Sequence, residues 1–249
     1  ASLSWSHRAH QLSWQANVRV DDDEFFSRAT SGGLAGALQI NPEFKLRAGV
    51  STGFRAPTLE QILGAYGSRD LKPENSLGKE LALEYAKGAD SASVTLYNTR
   101  FTDMLATDSS FNWNNVATAD VEGLTLSGRT RVGAATVSGS FDVMRARNGD
   151  TGKPLNYRPD ESATIDVTAP VSGWRVGAQW QAVGQRYYAS GASSLRGYAL
   201  LNLHASTAVS RNWTLQTRVD NVANRDYDGD GYNATPDRRW FVGLQWQGH

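Results

Sequence analysis

The fold is decided by residues 51–85, which read STGFRAPTLEQILGAYGSRDLKPENSLGKELALEY. This stretch contains the end of one strand, a long excursion and the start of the next strand. Pro57 and Pro73 keep the two ends of the excursion out of a central strand, because proline lacks the amide donor that a ladder requires. The sequence therefore predicts two strands joined by a long loop over residues 55–75.

Apolar and polar residues alternate on both sides of this loop, with the period of two that is typical of strands with one apolar face. Before the loop the apolar positions are Phe44, Leu46, Ala48, Val50 and Phe54. After the loop they are Leu81, Leu83 and Tyr85.

The same alternation continues along the chain and predicts about thirteen antiparallel strands. Their connections are expected to alternate between short turns and long loops. We expect short turns near residues 9, 42, 88, 133, 173 and 211, and long loops over residues 21–31, 55–75, 106–117, 147–159, 190–196 and 222–236. This asymmetry is typical of outer-membrane barrels, which have short periplasmic turns and long extracellular loops.

Composition sets limits on the class of protein. The 249 residues carry no formal net charge, which gives no support to nucleic-acid binding, and they include no cysteine. No apolar run approaches the ~20 residues of a membrane helix, whereas a membrane strand needs only ~9–11. Eight tryptophans and nine tyrosines could supply the aromatic girdles of a membrane barrel.

Alternating strands also occur in soluble sandwiches and propellers, where the aromatic residues would fill a core. Two observations favour the membrane barrel. The strands exceed the usual ~5–6 residues. Their polar faces also carry charged and amide side chains at mid-strand, as a wet lumen allows.

The motifs GFRAPTLEQI, LKPENS and ELALEY resemble the barrel of TonB-dependent outer-membrane receptors. Within this family they are most similar to the cobalamin (vitamin B12) receptors. The segments FTDMLATDSSFNWNNVATADVEGLTLSGR, AVGQRYY and VDNVANRDYDGDGYNATPDRRWFVGLQW follow in the family's order, so the resemblance covers roughly residues 34–246.

The resemblance implies an all-β fold: the C-terminal part, residues 1–249, of an antiparallel transmembrane barrel of about 22 strands, without its plug domain. It implies a receptor of the bacterial outer membrane, not an enzyme, that imports cobalamin or, alternatively, a ferric siderophore. The implied partners are outer-membrane lipid and the TonB energy-coupling protein, which would act through the missing plug. A half-barrel would need its missing strands, since unpaired edges are costly in lipid.

The last long loop, DYDGDG from residue 226, matches a calcium-loop pattern, with a further acid eleven residues after the first. The predicted metal ligands are Asp226, Asp228, Asp230 and Asp237. The alternative is a solvated acidic loop, which needs only Gly and Asp for its turns.

Ligand capture by the long loops calls for rigid aromatic area with a few polar contacts. The resemblance places the predicted ligand-binding residues at Tyr157, Arg158, Tyr187, Tyr188 and Tyr232. Tyr66, Phe111 and Trp113 are further loop aromatics.

The sequence leaves two other functions open. A small self-closed porin-like barrel would follow if the strand count were even. A hydrolase would need a serine, a histidine and an orienting group, and residues at i and i+2 share a face. The best set is therefore Asn202, His204 and Ser206 on one polar strand face.

Overall fold

The computed structural model describes residues 1–23, 27–107, 112–188, 193–229 and 235–248. Within them, one short helix and fifteen strands are formed. The first strands are β1 (Ser2–Ala9), β2 (Leu12–Asp23), β3 (Ser27–Gln39), β4 (Phe44–Arg55), β5 (Glu74–Lys87), β6 (Asp90–Thr107), β7 (Trp113–Val132) and β8 (Ala135–Asn148). The others are β9 (Glu161–Val171), β10 (Trp174–Val183), β11 (Arg186–Tyr188), β12 (Ser193–Leu195), β13 (Tyr198–Ala208), β14 (Trp213–Asp220) and β15 (Arg239–Trp246).

Thirteen of these strands form one sheet in the order β1-β2-β3-β4-β5-β6-β7-β8-β9-β10-β13-β14-β15, and β11 pairs with β12. The strand pairs with a described register are all antiparallel. The predicted thirteen strands and the antiparallel all-β fold are therefore confirmed.

The short turns lie where the alternation predicts them, but two of the long loops are wrong. The loop predicted over residues 106–117 is shorter, because β6 continues to Thr107 and β7 begins at Trp113. Residues 21–31 are mostly strand, because β2 continues to Asp23 and β3 begins at Ser27. The acidic run does not end the strand, since arginines compensate its charge. Arg19 contacts Asp21 at 2.7 Å and Arg28 contacts Asp22 at 3.6 Å.

The loop over residues 55–75 forms as predicted, with Pro57 and Pro73 outside the strands, and it contains a helix. Helix α1 (Leu59–Leu63) begins after Thr58, which forms a capping box with Gln61. A helix of five residues is too short to produce a helical period in the sequence. In the described residues, no helix is long and apolar enough to cross a membrane.

By contact density the chain divides into two compact units. The first comprises Ala1–Glu84, Val94–Leu124 and Met144–Leu155. The second comprises Tyr85–Ser93, Thr125–Val143 and Asn156–His249.

Each unit has an apolar and a polar sheet face. In the first unit Leu38 pairs with both Leu12 and Leu46, and Leu34 pairs with Val50. In the second unit Trp180 pairs with Ile165 and Leu201 on the apolar face. The residues between them form polar rows, such as Asp166, Gln179 and Asn202.

The apolar face is exposed and does not form a core. Trp240 and Val242 keep 71% and 76% of their surface accessible, and no large side chain among the described residues is fully buried. This excludes the sandwich, whose aromatic residues would pack against a second sheet. An exposed apolar face opposite a polar face is what a transmembrane barrel wall requires.

Candidate ligand-binding site

Three segments of the second unit meet at the ends of its strands. The N–H of Tyr157 donates to the carbonyl of Tyr187 at 2.7 Å, and Pro159 forms a bridge with Arg186. Residues 157–159 therefore run alongside β11, which in turn pairs with β12. The loop between β14 and β15 is the third segment, and Arg186 connects it to β11.

Four of the predicted ligand-binding residues are brought together here. Tyr157, with 42% of its surface exposed, and exposed Arg158 lie beside the half-buried Tyr187 and Tyr188. Tyr157 has a left-handed backbone (φ 60°), which is a strained conformation for a bulky side chain. Tyr232 lies outside the described residues. Their role in ligand binding stays a prediction.

The two neighbouring tyrosines of β11 do not share a face. Successive side chains of a strand point to opposite sides, so Tyr188 lies on the face of Arg186 and Tyr187 on the other. Because Arg186 is covered by the last loop, Tyr187 is on the freer face. Of the pair, Tyr187 is thus the better placed to meet a ligand.

Arg186 is the residue that sequence reasoning missed. It is 6% exposed, and its guanidinium donates to the carbonyls of Asp228 and Gly229 at 2.6 Å each. It also lies over the ring of Tyr198, 5.1 Å from the centroid, and Tyr198 packs on Tyr227. Nothing in the sequence distinguishes this arginine, because the carbonyl groups that it contacts in the last loop are more than forty residues away.

Asn221 fixes the start of the same loop. It is 3% exposed, adopts a left-handed backbone (φ 51°), and its N–H donates to the side-chain oxygen of Asn202 at 2.9 Å. Its own side chain accepts from the N–H of Arg225 and donates to that residue's carbonyl, both at 2.8 Å. Asparagine tolerates this backbone and forms such local turns readily.

The calcium prediction remains untested. Asp226, Asp228 and Asp237 are exposed, and Asp230 lies outside the described residues. Across the ranges that the structure describes, no three acidic or histidine side chains form a metal-binding group. The guanidinium of Arg186 also brings a positive charge to the carbonyls of Asp228 and Gly229. The described part of the loop alone therefore does not supply a calcium site.

A polar cavity of about 470 Å³ lies on the sheet face below this loop. Its lining includes Asn202, His204, Asp237 and Arg239. Asn202 donates to Gln179 at 3.2 Å, so amide groups already satisfy one another along its wall. A surface of this kind suits water or a polar partner.

The hydrolase set is not assembled on this face. His204 Nε2 lies 3.5 Å from the hydroxyl oxygen of Thr168, which donates to Asp166. Ser206 instead pairs across the sheet with Arg175 and Gln216. The histidine thus contacts a threonine, and the described contacts give no support to a serine nucleophile.

The first unit carries its own ordered loop. The side chain of Asn115 donates to the carbonyls of Lys72 and Asp103 and accepts from the N–H of Lys72. The N–H of Trp113 donates to the carbonyl of Tyr66 at 2.9 Å. Tyr66 is 58% exposed, whereas Phe111 lies outside the described residues.

Residues 1–222 match the family model described as TonB dependent receptor-like, beta-barrel. The chain belongs to this family. The resemblance seen in the sequence motifs is therefore confirmed, and the exposed apolar face is the outer wall of a receptor barrel.

The curated relatives include vitamin B12 transporters named BtuB. The protein of Photobacterium profundum is 27% identical over 235 residues, which are 90% of this chain and 39% of that protein. The protein of Vibrio cholerae serotype O1 is 25% identical over 245 residues, 94% of this chain and 39% of that protein. This chain thus spans about two fifths of their length.

Solved structures of other receptors share the fold of this chain. The ferric enterobactin receptor PfeA of Pseudomonas aeruginosa has a TM-score of 0.83 at 20% identity, and covers 98% of this chain and 44% of its own. The siderophore receptor PirA of Acinetobacter baumannii has the same TM-score at 17% identity, covering 98% and 45%. At this identity the likeness shows the fold alone.

Proposed function

We propose that this chain is the ligand-capturing barrel part of an outer-membrane receptor that imports cobalamin. The observation that carries the proposal is the cluster of Tyr157, Arg158 and Tyr187 on adjoining segments, which Arg186 ties to the last loop. Aromatic area that is held rigidly loses little entropy on binding a large ligand. The B12 transporters among the curated relatives supply the choice of ligand.

A ferric siderophore is the second candidate. Arg158 is exposed beside Tyr157, so the site offers a positive charge as well as aromatic rings. Many metal chelates carry negative charge, and an exposed arginine suits such a ligand. A neutral ligand would gain less from this side chain.

In the whole receptor, a plug moved by the TonB energy-coupling protein would then release the bound ligand inward. The polar sheet face with its amide-lined cavity is a suitable surface for such a plug. Outer-membrane lipid would cover the exposed apolar face. These partners are part of the same proposal.

A binding titration on the full-length receptor tests the proposal. Cobalamin and a panel of ferric siderophores are titrated in detergent against wild type, Tyr187→Ala and Arg158→Gln. Loss of a central aromatic contact costs about 1–3 kcal/mol, so Tyr187→Ala should weaken cobalamin binding by roughly 5- to 150-fold.

Trp213→Ala is the control, because Trp213 is an exposed aromatic residue of the same unit at the short-turn end of β14, away from the long loops. We expect it to bind cobalamin as wild type does. Cobalamin affinity that survives Tyr187→Ala unchanged would refute the site. Tight binding of a siderophore without cobalamin binding would select the second candidate.

A further inference from the structure

The polar cavity of the second unit, about 470 Å³ in volume, shares a loop with the proposed ligand-binding cluster. Tyr227, Pro236 and Asp237 of the loop between β14 and β15 line the cavity, together with polar-face residues of β10 and β13. Tyr227 packs on Tyr198, and the guanidinium of Arg186 lies over the ring of Tyr198. A cavity of this size accepts one edge of a large ligand.

Three amide side chains form one wall of the cavity. Nδ2 of Asn202 donates to Oε1 of Gln179 at 3.2 Å and to Oε1 of Gln181 at 3.4 Å. The side-chain oxygen of Asn202 accepts from the N–H of Asn221. Among the described residues, neither glutamine NH₂ group has a hydrogen-bond partner, although both side chains are half-buried. The wall therefore offers N–H donors to an oxygen of a ligand.

The charged side chains of the cavity compensate one another. Arg218 contacts Asp220 at 2.9 Å, and Arg239 lies 4.0 Å from the same carboxylate. Both guanidinium groups also lie over the ring of Phe241, 4.4 and 5.8 Å from its centroid. With Asp237, the lining holds two arginines and two aspartates, so it offers no excess positive charge to an anionic ligand.

Asp237 supplies the acceptor that the glutamines do not. It is exposed, and in the part of the chain that the structure describes it forms no ion pair. Its carboxylate accepts an N–H group and repels a second carboxylate. A ligand group that accepts from Gln179 or Gln181 and donates to Asp237 needs both a carbonyl and an NH₂ group. A primary carboxamide has both.

We propose that this cavity binds primary carboxamide groups at the edge of the imported ligand, and so favours a neutral, amide-bearing ligand over an anionic chelate. The amide carbonyl accepts from Gln179 or Gln181, and the amide NH₂ donates to Asp237. The corrin ring of cobalamin carries several such amides at its edge. This role rests on the proposed function and adds a specificity-determining site below the capture site, while the rest of the polar face is left to the plug.

Binding titrations on the full-length receptor, in EGTA, test the proposal. The ligands are cobalamin and a panel of cobalamins in which one propionamide side chain is hydrolysed to a carboxylate. We expect wild type to bind at least one of these acids about fivefold less tightly than cobalamin, since a like charge at ~4 Å in water costs about that factor. Asp237→Asn removes the repulsion and should bind that acid more tightly than wild type does.

Gln181→Met tests the amide wall. It removes the NH₂ donors at similar side-chain size, and Asn202 keeps its bond to Gln179. Loss of one neutral hydrogen bond should weaken cobalamin binding by roughly 2- to 12-fold. Gln216→Met is the matched control, because Gln216 donates to Gln245 at 2.7 Å on the same polar face but does not line the cavity. It should bind cobalamin as wild type does.

Equal cobalamin affinity of wild type and Gln181→Met would overturn the proposal, and so would an equal loss in Gln216→Met. A plug side chain that fills the cavity would give the first of these results, with a lower unfolding temperature for Gln181→Met. Acids that all bind wild type as tightly as cobalamin would also overturn it.

If Gln181→Met fails to fold, Asp237→Asn decides, because Asp237 is exposed. Equal binding of every acid by this variant and by wild type would then refute the site. Wild type that binds no cobalamin would overturn the proposed function and this site together. Cobalamin binding that the variants leave unchanged would overturn the site alone.

Discussion

The guanidinium of Arg186 donates to the carbonyl of Asp228 at 2.6 Å, across 42 residues of sequence. A second bond, to Gly229, has the same length. The loop between β14 and β15 is therefore held against the β11–β12 hairpin by one buried cation. The carbonyl groups of the last loop and the ring of Tyr198 stabilise that cation together.

Replacing this arginine should release the last loop. Arg186→Gln removes two charge-assisted hydrogen bonds, each worth about 1.5–3 kcal/mol, and we expect faster hydrogen exchange at amides 226–229. Exchange measured by mass spectrometry on wild type and variant checks this. Arg158→Gln is the control, because Arg158 is exposed and should leave the exchange unchanged. Equal exchange in all three proteins would show that Arg186 does not hold the loop.

Asn221 gives a second test of how the loop begins. Asn221→Gly loses the side-chain bonds with Arg225 but suits the left-handed backbone. Asn221→Ala loses the same bonds and keeps a Cβ in that backbone without the local bonds that let asparagine adopt it. The strain adds about 1–2 kcal/mol, so the alanine variant should be the less stable of the two. Thermal unfolding in detergent measures the order. An alanine variant as stable as the glycine variant would contradict the argument.

The strands could be predicted because each one carries its own signal. Leu81 and Leu83 alternate with Glu80 and Glu84 whatever the rest of the chain does, and the register follows from turns such as Lys87 to Asp90. The error at residues 21–31 has a local cause. An acidic run favours the end of a strand, but Arg19 and Arg28 compensate the charge of Asp21 and Asp22.

The contacts that hold the loops could not be predicted, because they join residues that are far apart in the sequence. Arg186 contacts residues 42 and 43 positions later, and Asn115 fixes Lys72 from 43 positions away. No local pattern encodes such pairs. The family resemblance could suggest Tyr157 and Tyr187, but only the folded chain brings their backbones into contact.

The acidic loop is tested by removing calcium. The sequence pattern predicts that calcium binds the loop through Asp226, Asp228, Asp230 and Asp237. Chelation with EGTA should then speed hydrogen exchange at residues 226–229 in wild type. In the Asp230→Asn variant, the amides of residues 226–229 should exchange as fast as those of wild type in EGTA, whether or not calcium is present. Identical exchange of wild type in calcium and in EGTA would leave a solvated acidic loop as the explanation.

Gly177 and His204 form a cross-strand pair on the polar face. The imidazole of His204 occupies the space that a side chain at position 177 would need. A Cβ at Gly177 would overlap the imidazole of His204, so Gly177→Ala forces the ring to move. Such overpacking typically costs about 1–3 kcal/mol. We expect a lower unfolding temperature in detergent.

The double variant Gly177→Ala/His204→Ala isolates that effect. Without the ring the added methyl group has space, so the double variant should be more stable than the sum of the two single changes predicts. Gly139→Ala is the control, because its Cβ would lie 2.9 Å from the backbone carbonyl of Thr164, which His204→Ala cannot relieve. Strictly additive effects at Gly177 and His204 would show that the imidazole does not require the glycine.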